Sequence, residues 1–443
     1  MKQFMLYALA FLFLLCVGVA FAIEEPVGKY RSGNYRYDIL EDGTVEITEY
    51  VGWGETEIIL PDEIEGRKVT SLGYYTFDIY NTTTRSITVP EGVLSIVDNA
   101  LSCAALEEVT LPDSLISIGE NPFQGCKKLV KINVSDGHSY LEVIDGVLFT
   151  KTDRRLICYP CGLNGKEYLV PDGVRSIDAY AFGDCKSLTK VMLPESVMTI
   201  GHQAFGACGN LHEINLPEGL TDLGSGAFSL CSSLSKMAIP KAVNAVGLYT
   251  FYRCENLETV FFPQDITGIG YSAFASCPNL VSADLPDGVA EIGELAFFEC
   301  KSLKRLNVTG TTSIGDFAFR SCEGLEEVTI SGEGCKIGAN AFYGCTGLKE
   351  FERFEGVTEI GYGAFADCTA LTNVDIPEGT EKIDDFAFAG CSSLTRVTLP
   401  ASVLSIGENA FKGCENLTVT VKAGSYAEKY CEENGIAYLI ERN

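Results

Sequence analysis

The chain has 443 residues, 46% of them hydrophobic, with 60 Asp and Glu against 33 Lys and Arg and hence a formal charge of −27. No run of Lys or Arg interrupts the acid, so the surface repels phosphate and nucleic-acid binding is excluded; the excess charge reads as a solubility device rather than a cation site. Such a length ordinarily means two or three domains, unless a short unit repeats.

Residues 1–22 read as a cleaved secretory signal. Lys2 precedes an apolar run from Phe4 to Ala20, and Ala20-Phe21-Ala22 supplies the small-x-small pattern of a cleavage site. A retained membrane anchor is the alternative reading. Cys16 follows Leu15, where a lipoprotein signal wants a small residue. No membrane span is expected after cleavage.

Residues 23–72 are expected to cap the fold and enter its first strand. Tyr35 to Leu40 alternates, Asp42-Gly43 turns, and Thr44 to Thr48 alternates back, which is a hairpin signal. Asp38 to Glu49 approaches the spacing of a calcium loop, but Leu40 replaces a ligand and the hairpin reading stands. Trp53, the only Trp, reads as a cap or surface residue, and Ile58-Ile59-Leu60-Pro61 is close to a repeat strand.

From residue 73 to 421 one unit recurs. An Ala-Phe pair is followed by Cys three residues after the Phe and Leu three after that, as in Phe182-Cys185-Leu188 and Phe205-Cys208-Leu211. The pattern continues to Phe411-Cys414-Leu417 at a step of 23 residues, with one step of 22 between Phe297 and Phe319. Phe77, Leu101 and Phe123 form an earlier, looser set. After each Leu, apolar and polar residues alternate, as in Leu188-Thr189-Lys190-Val191-Met192-Leu193, which is a short half-buried strand. Pro194 stops it, since proline cannot extend a ladder. A second apolar pair, Val197 and Ile200, leads to Gly201; here and at Gly224, Gly247, Gly270, Gly293 and Gly315 the glycine is expected to allow a bend at positive φ. Ala-Phe-x-x-Cys leaves room for a single helical or 3₁₀ turn.

Such a unit cannot bury its anchors alone, but stacked on its neighbours it can. About fourteen rungs at a spacing of about 4.8 Å give a rod on the order of 65 Å long. Between Phe123 and Phe182 lie 59 residues, more than one period. The extra piece, about 136–168, holds two apolar runs around the charged turn Lys151 to Arg155, and is expected to project as a hairpin and to be a place for specificity. Residues 422–443 read as a C-terminal cap, with a helix from Ser425 to Gly435 and a last strand at Ile436 to Ile440.

The motif Leu-x-x-Val-x-Leu-Pro…Val-x-x-Ile-Gly-x-x-Ala-Phe-x-x-Cys, over roughly residues 70–421, resembles the BspA-like leucine-rich repeats of bacterial surface and secreted proteins. The resemblance implies a leucine-rich-repeat solenoid, a β-rich variant of the α/β horseshoe class with caps at both ends. It implies binding or adhesion and brings no catalytic residues. Local departures are Leu101 for Phe, Cys103 one residue early, Asn121-Pro122 before Phe123, and Arg353 at a normally apolar strand position.

Of 18 cysteines, thirteen hold the repeat position, where neighbours one rung apart are too distant for a disulfide's Cβ separation of about 3.5–4.5 Å. There they act as small buried hydrophobes. Cys158-x-x-Cys161 lacks the two further ligands of a zinc site and the helix of a redox pair; it reads as a local disulfide or two plain thiols. No cofactor or metal is expected.

Only three histidines exist, His138, His202 and His212, and no hydrolase elbow, Walker loop or dinucleotide fingerprint accompanies them. An enzymatic site near the insertion is the outlying alternative; the chain reads as non-catalytic. The outward strand positions form chemically irregular columns. Phe261, flanked by Met192, Lys236, Lys304 and Arg305, is the expected contact patch. The reading is therefore a secreted or cell-surface protein that binds proteins of a host or neighbouring cell through its strand face. A carbohydrate-binding or scaffold role is the alternative.

Overall fold

The computed structural model describes residues 28–441; the signal reading of residues 1–22 and Cys16 lies outside them. Each turn of the solenoid carries two short strands. The first begins two residues after the Leu anchor, as in Lys190–Met192, and the second is a two-residue bridge such as Thr199–Ile200. Both stack in parallel on the next turn, Lys190 on Glu213 and Thr199 on Asp222. Inward positions alternate with outward ones: Val191 is buried between the half-buried Lys190 and Met192. The stack runs to about 17 turns rather than fourteen. Glu57–Ile59 from the N-terminal segment, Glu167–Leu169 from the insertion and the terminal Ala437–Ile440 pair onto it as further rungs.

Inside, the side chains form continuous columns. Phe182 to Phe411 stack ring on ring, with centroids 4.8 Å apart at Phe182–Phe205 and 5.6 Å apart at Phe388–Phe411. Interplanar angles stay between 6° and 12°. Offset stacking of this kind adds to the area each ring buries. Tyr50 lies on Phe77 at 5.1 Å and Tyr159 on Phe182 at 5.3 Å. At the C-terminal end Tyr430, from the helix Tyr426–Asn434, meets Phe411 edge-on. Ser425 caps that helix and Gly435, at φ 67°, ends it, as the sequence predicts.

Nearly every ladder Phe heads a turn in which the Cys N–H donates back to its carbonyl, as Cys208 does to Phe205 at 3.2 Å. That is the single i+3 turn expected. The glycines are a correction. None of Gly201, Gly224, Gly247, Gly270, Gly293 and Gly315 is at positive φ. A Cβ on Gly293 would lie 2.8 Å from the Gly270 carbonyl carbon of the previous rung, so close backbone approach, not a bend, demands glycine there. The left-handed residues come two before the Phe and two after it, as at Gln203 and Ala207.

The ladder thiols are free and buried. From Cys208 to Cys414 each sulfur donates to the Phe carbonyl of the preceding rung, as Cys277 Sγ does to Phe251 O at 3.1 Å, whereas Cys126 and Cys185 use Leu101 O and Tyr159 O. Burial pushes these thiols up, to about 12 at Cys231, Cys277 and Cys345. Since the thiolate is the nucleophile, native maleimide labelling should modify Cys161, the one described cysteine that is not fully buried, and leave the ladder until denaturant is added. Mass spectrometry of the labelled peptides checks this; prompt native labelling of Cys277 would contradict the column.

Proline's role shows where it is missing. Without it the first strand lengthens to Arg305–Thr309 in one rung, and runs through both strands as one in Glu327–Ile337 and Glu350–Ile360. In the last of these a bulge at Glu352 moves Thr329's partner to Arg353. Arg353 therefore faces out, Phe354 takes the inward place, and the departure noted at Arg353 costs the core nothing.

The insertion does not project. Leu141–Ile144, Val147–Thr150 and Arg155–Cys158 form an antiparallel meander whose last strand pairs in parallel with Ser176–Ile177. All four residues of Val147–Thr150 are buried. Leu148, Ile157 and Cys158 pack into the core before the meander, and Val147, Phe149, Leu156 and Tyr159 into the core after it. The piece is a two-faced strand layer, so its alternation of apolar residues on both faces leaves little to project. His138 is buried in it: its Nδ1 accepts from the Tyr140 and Leu141 N–H groups and its Nε2 lies 3.0 Å from Pro112 O. Cys158 and Cys161 are free thiols, Cys161 donating to Gly183 O at 3.0 Å.

Candidate binding surface

The pleat of the first strand ladder aims every second residue at solvent, so its outward columns are free of the packing that fixes the inward ones. In these columns Lys190 meets Glu213 at 2.7 Å, and Glu326 takes Lys304 at 3.3 Å and Lys349 at 3.2 Å. Lys349 and then Lys304 hold the Glu326 carboxyl below its ordinary value. Such exposed pairs are worth little to stability; their effect is to alternate the sign of charge along the face.

Of the expected contact residues, Lys236, Phe261, Lys304 and Arg305 are exposed, Phe261 by 59%, and Met192 is half-buried. Ala238 pairs with Phe261, so the ring stands beside a small neighbour. Lys304 and Arg305 line a shallow depression of about 390 Å³ with Val281, Asp284, Glu326 and Glu327. A second depression of about 660 Å³ shares Asp284, Arg305 and Glu327 and continues to Glu352 and Arg353. Met192 belongs to another sheet segment, Glu167–Leu169 to Glu213–Ile214, apart from the one that holds Lys236 and Phe261. The five residues thus share one face but do not form one cluster. The charged depression at Lys304 and Arg305 is the defined concavity.

The sequence reading passed over the edge formed by the Phe-bearing turns. There Tyr249 and Tyr271 meet at 5.2 Å, Arg320 lies over Tyr343, and Tyr362 meets Phe386 at 5.6 Å. The signal was available: large residues stand where other rungs have Gly, Asn or Ala. It is masked by the regular Phe ladder beside it.

Among the described residues, no group of three or more His, Cys, Asp or Glu is placed to hold a metal, and no helix is long and apolar enough to cross a membrane. His202 packs edge-on against Tyr180, and burial lowers its pKa.

A family model described as a BspA type leucine-rich repeat region matches residues 56–164, 157–281, 234–349, 267–370 and 312–428. A leucine-rich repeat protein from Bacteroides ovatus is 25% identical, with a TM-score of 0.59 over 94% of this chain and 100% of that one. A leucine-rich cell surface protein from Faecalibacterium prausnitzii is also 25% identical, with a TM-score of 0.41 over 94% of this chain and 99% of its own. No curated protein matches the chain.

Proposed function

The chain belongs to the BspA-type leucine-rich repeat family, and from that premise we propose that it is a non-catalytic protein, secreted or held at a cell surface, that takes a protein partner on its strand face. The supporting observation is the split within each rung. Inward positions repeat Leu, Val, Phe and Cys, whereas outward ones change between cation, acid, amide and aromatic. Stacking requires the regularity; recognition of an irregular partner uses the rest. Export rests on Lys2 and the apolar run that follows it. The partner would be a protein of a host or neighbouring cell.

The purified chain lacking residues 1–22 tests this as bait against extracellular-matrix and cell-surface extracts, beside a glycan array. A variant carrying Lys236→Glu, Phe261→Ser, Lys304→Glu and Arg305→Glu is expected to lose a captured protein by at least about tenfold at an unchanged thermal midpoint. Undiminished capture would refute the strand-face assignment, and binding to glycans alone would favour the carbohydrate alternative.

A further inference from the structure

The turn edge combines three features. Two residues before the ladder Phe stand Tyr249, Leu295, Phe317 and Phe386, all at positive φ. Bulky side chains disfavour that conformation, and Gly226, Asn340 and Gly363 occupy it in other rungs. Local backbone preference therefore does not account for the aromatics.

Secondly, these rings already carry cations. The Arg320 guanidinium lies 5.5 Å from the Phe317 centroid and 4.7 Å from that of Tyr343. Lys412 Nζ lies 5.7 Å from the Phe386 centroid. All three distances fit attraction of a cation to the ring face.

Thirdly, two carboxylates next in sequence to Leu295 and Phe317 are in no ion pair among the described residues. Glu294 and Asp316 stand on successive rungs, tied by the Leu295 N–H donating to Asp316 O at 2.9 Å. The ion pairs of this region, Lys301–Glu323 and Lys304–Glu326, use neither. Partial burial and then the like charge of Asp316 push the Glu294 carboxyl up. An incoming cation would relieve that repulsion.

We propose that this turn edge, from Glu294 to Phe386, is a second docking surface, separate from the strand face, for an arginine- or lysine-rich segment of a protein partner. Charge complementarity selects that occupant. The chain carries −27 overall, so anionic ligands are repelled, and a neutral glycan would use the rings but gain nothing from Glu294 and Asp316.

Fluorescence anisotropy with labelled nona-arginine, at about 0.15 M salt to screen distant charge, tests the assignment. Glu294→Gln with Asp316→Asn should weaken binding about tenfold, with an unchanged thermal midpoint. Removing the same charge elsewhere, by Glu255→Gln with Asp287→Asn, should change it less than about twofold. Hydrogen exchange should show peptide-dependent protection at residues 294–299 and 316–320. Equal weakening by both pairs would mean bulk attraction only and overturn the proposal. So would protection of those amides by a soluble neutral glucan but not by the peptide.

Discussion

Phe297→Ala is expected to lower the unfolding free energy by about 3–5 kcal/mol, the usual cost of emptying a buried aromatic site. Phe297 is fully buried and stacked between Phe274 at 5.1 Å and Phe319 at 5.2 Å. Truncation removes two ring contacts as well as the buried area, and rungs on either side can close the gap only by bending the backbone ladder. Because a solenoid is held together by nearest-neighbour interfaces, the loss in a middle rung should also uncouple the two halves and broaden the transition. Urea denaturation followed by circular dichroism reads both effects. Phe261→Ala is the comparison: that ring is 59% exposed, and its removal should cost no more than about 0.5 kcal/mol. Equal costs at the two positions would mean the Phe column is not what holds the rungs together.

Arg155→Ala should be as damaging for an electrostatic reason. Arg155 Nε and Nη2 donate to both oxygens of Asp178, the closest at 2.6 Å, and Nη2 also reaches Gly119 O at 3.1 Å. The residue thus ties the insertion to the rungs on both sides of it. Asp178 is buried, and burial pushes its carboxyl up against the opposing pull of Arg155. Desolvation offsets much of what the pair would otherwise contribute, but removal of one partner strands the other charge, at about 3–5 kcal/mol. The sign with pH follows. In Arg155→Ala the carboxyl loses its counter-charge and its folded value rises further above the unfolded one. The folded state then binds the proton more tightly, so part of the lost stability should return as pH falls from about 8 to about 5. Asp178→Asn on the Arg155→Ala background removes the charge and should abolish that recovery. A variant as stable as the parent at neutral pH would sink the assignment.

Much of the fold was legible because it repeats. The 23-residue step, the Phe, Cys and Leu anchors, the proline stops and both capping signals at Ser425 and Gly435 are all local patterns. They led to the parallel stack without any knowledge of partners. The non-local features were missed. Gly293 reads as a bend in sequence but is needed because another rung's backbone lies against it. The apolar runs of about 136–168 read as a projecting hairpin, and only the cores on both sides show why they are buried. Phe261 was visible as an isolated outward aromatic, whereas the aromatics of the turn edge come from separate rungs and become neighbours only on stacking.

The sequence by itself determined the rung: which residues face inward, where each strand stops, and that identical side chains would pile on one another. Burial imposes that order on every unit alike, so it is written in each unit. The tertiary structure alone decided what unlike residues do when rungs meet. It placed Arg155 on Asp178, set Arg320 over the Tyr343 ring of the next rung, and left Glu294 beside Asp316. These contacts join residues about one period or more apart, or on different turns, and no local pattern encodes them.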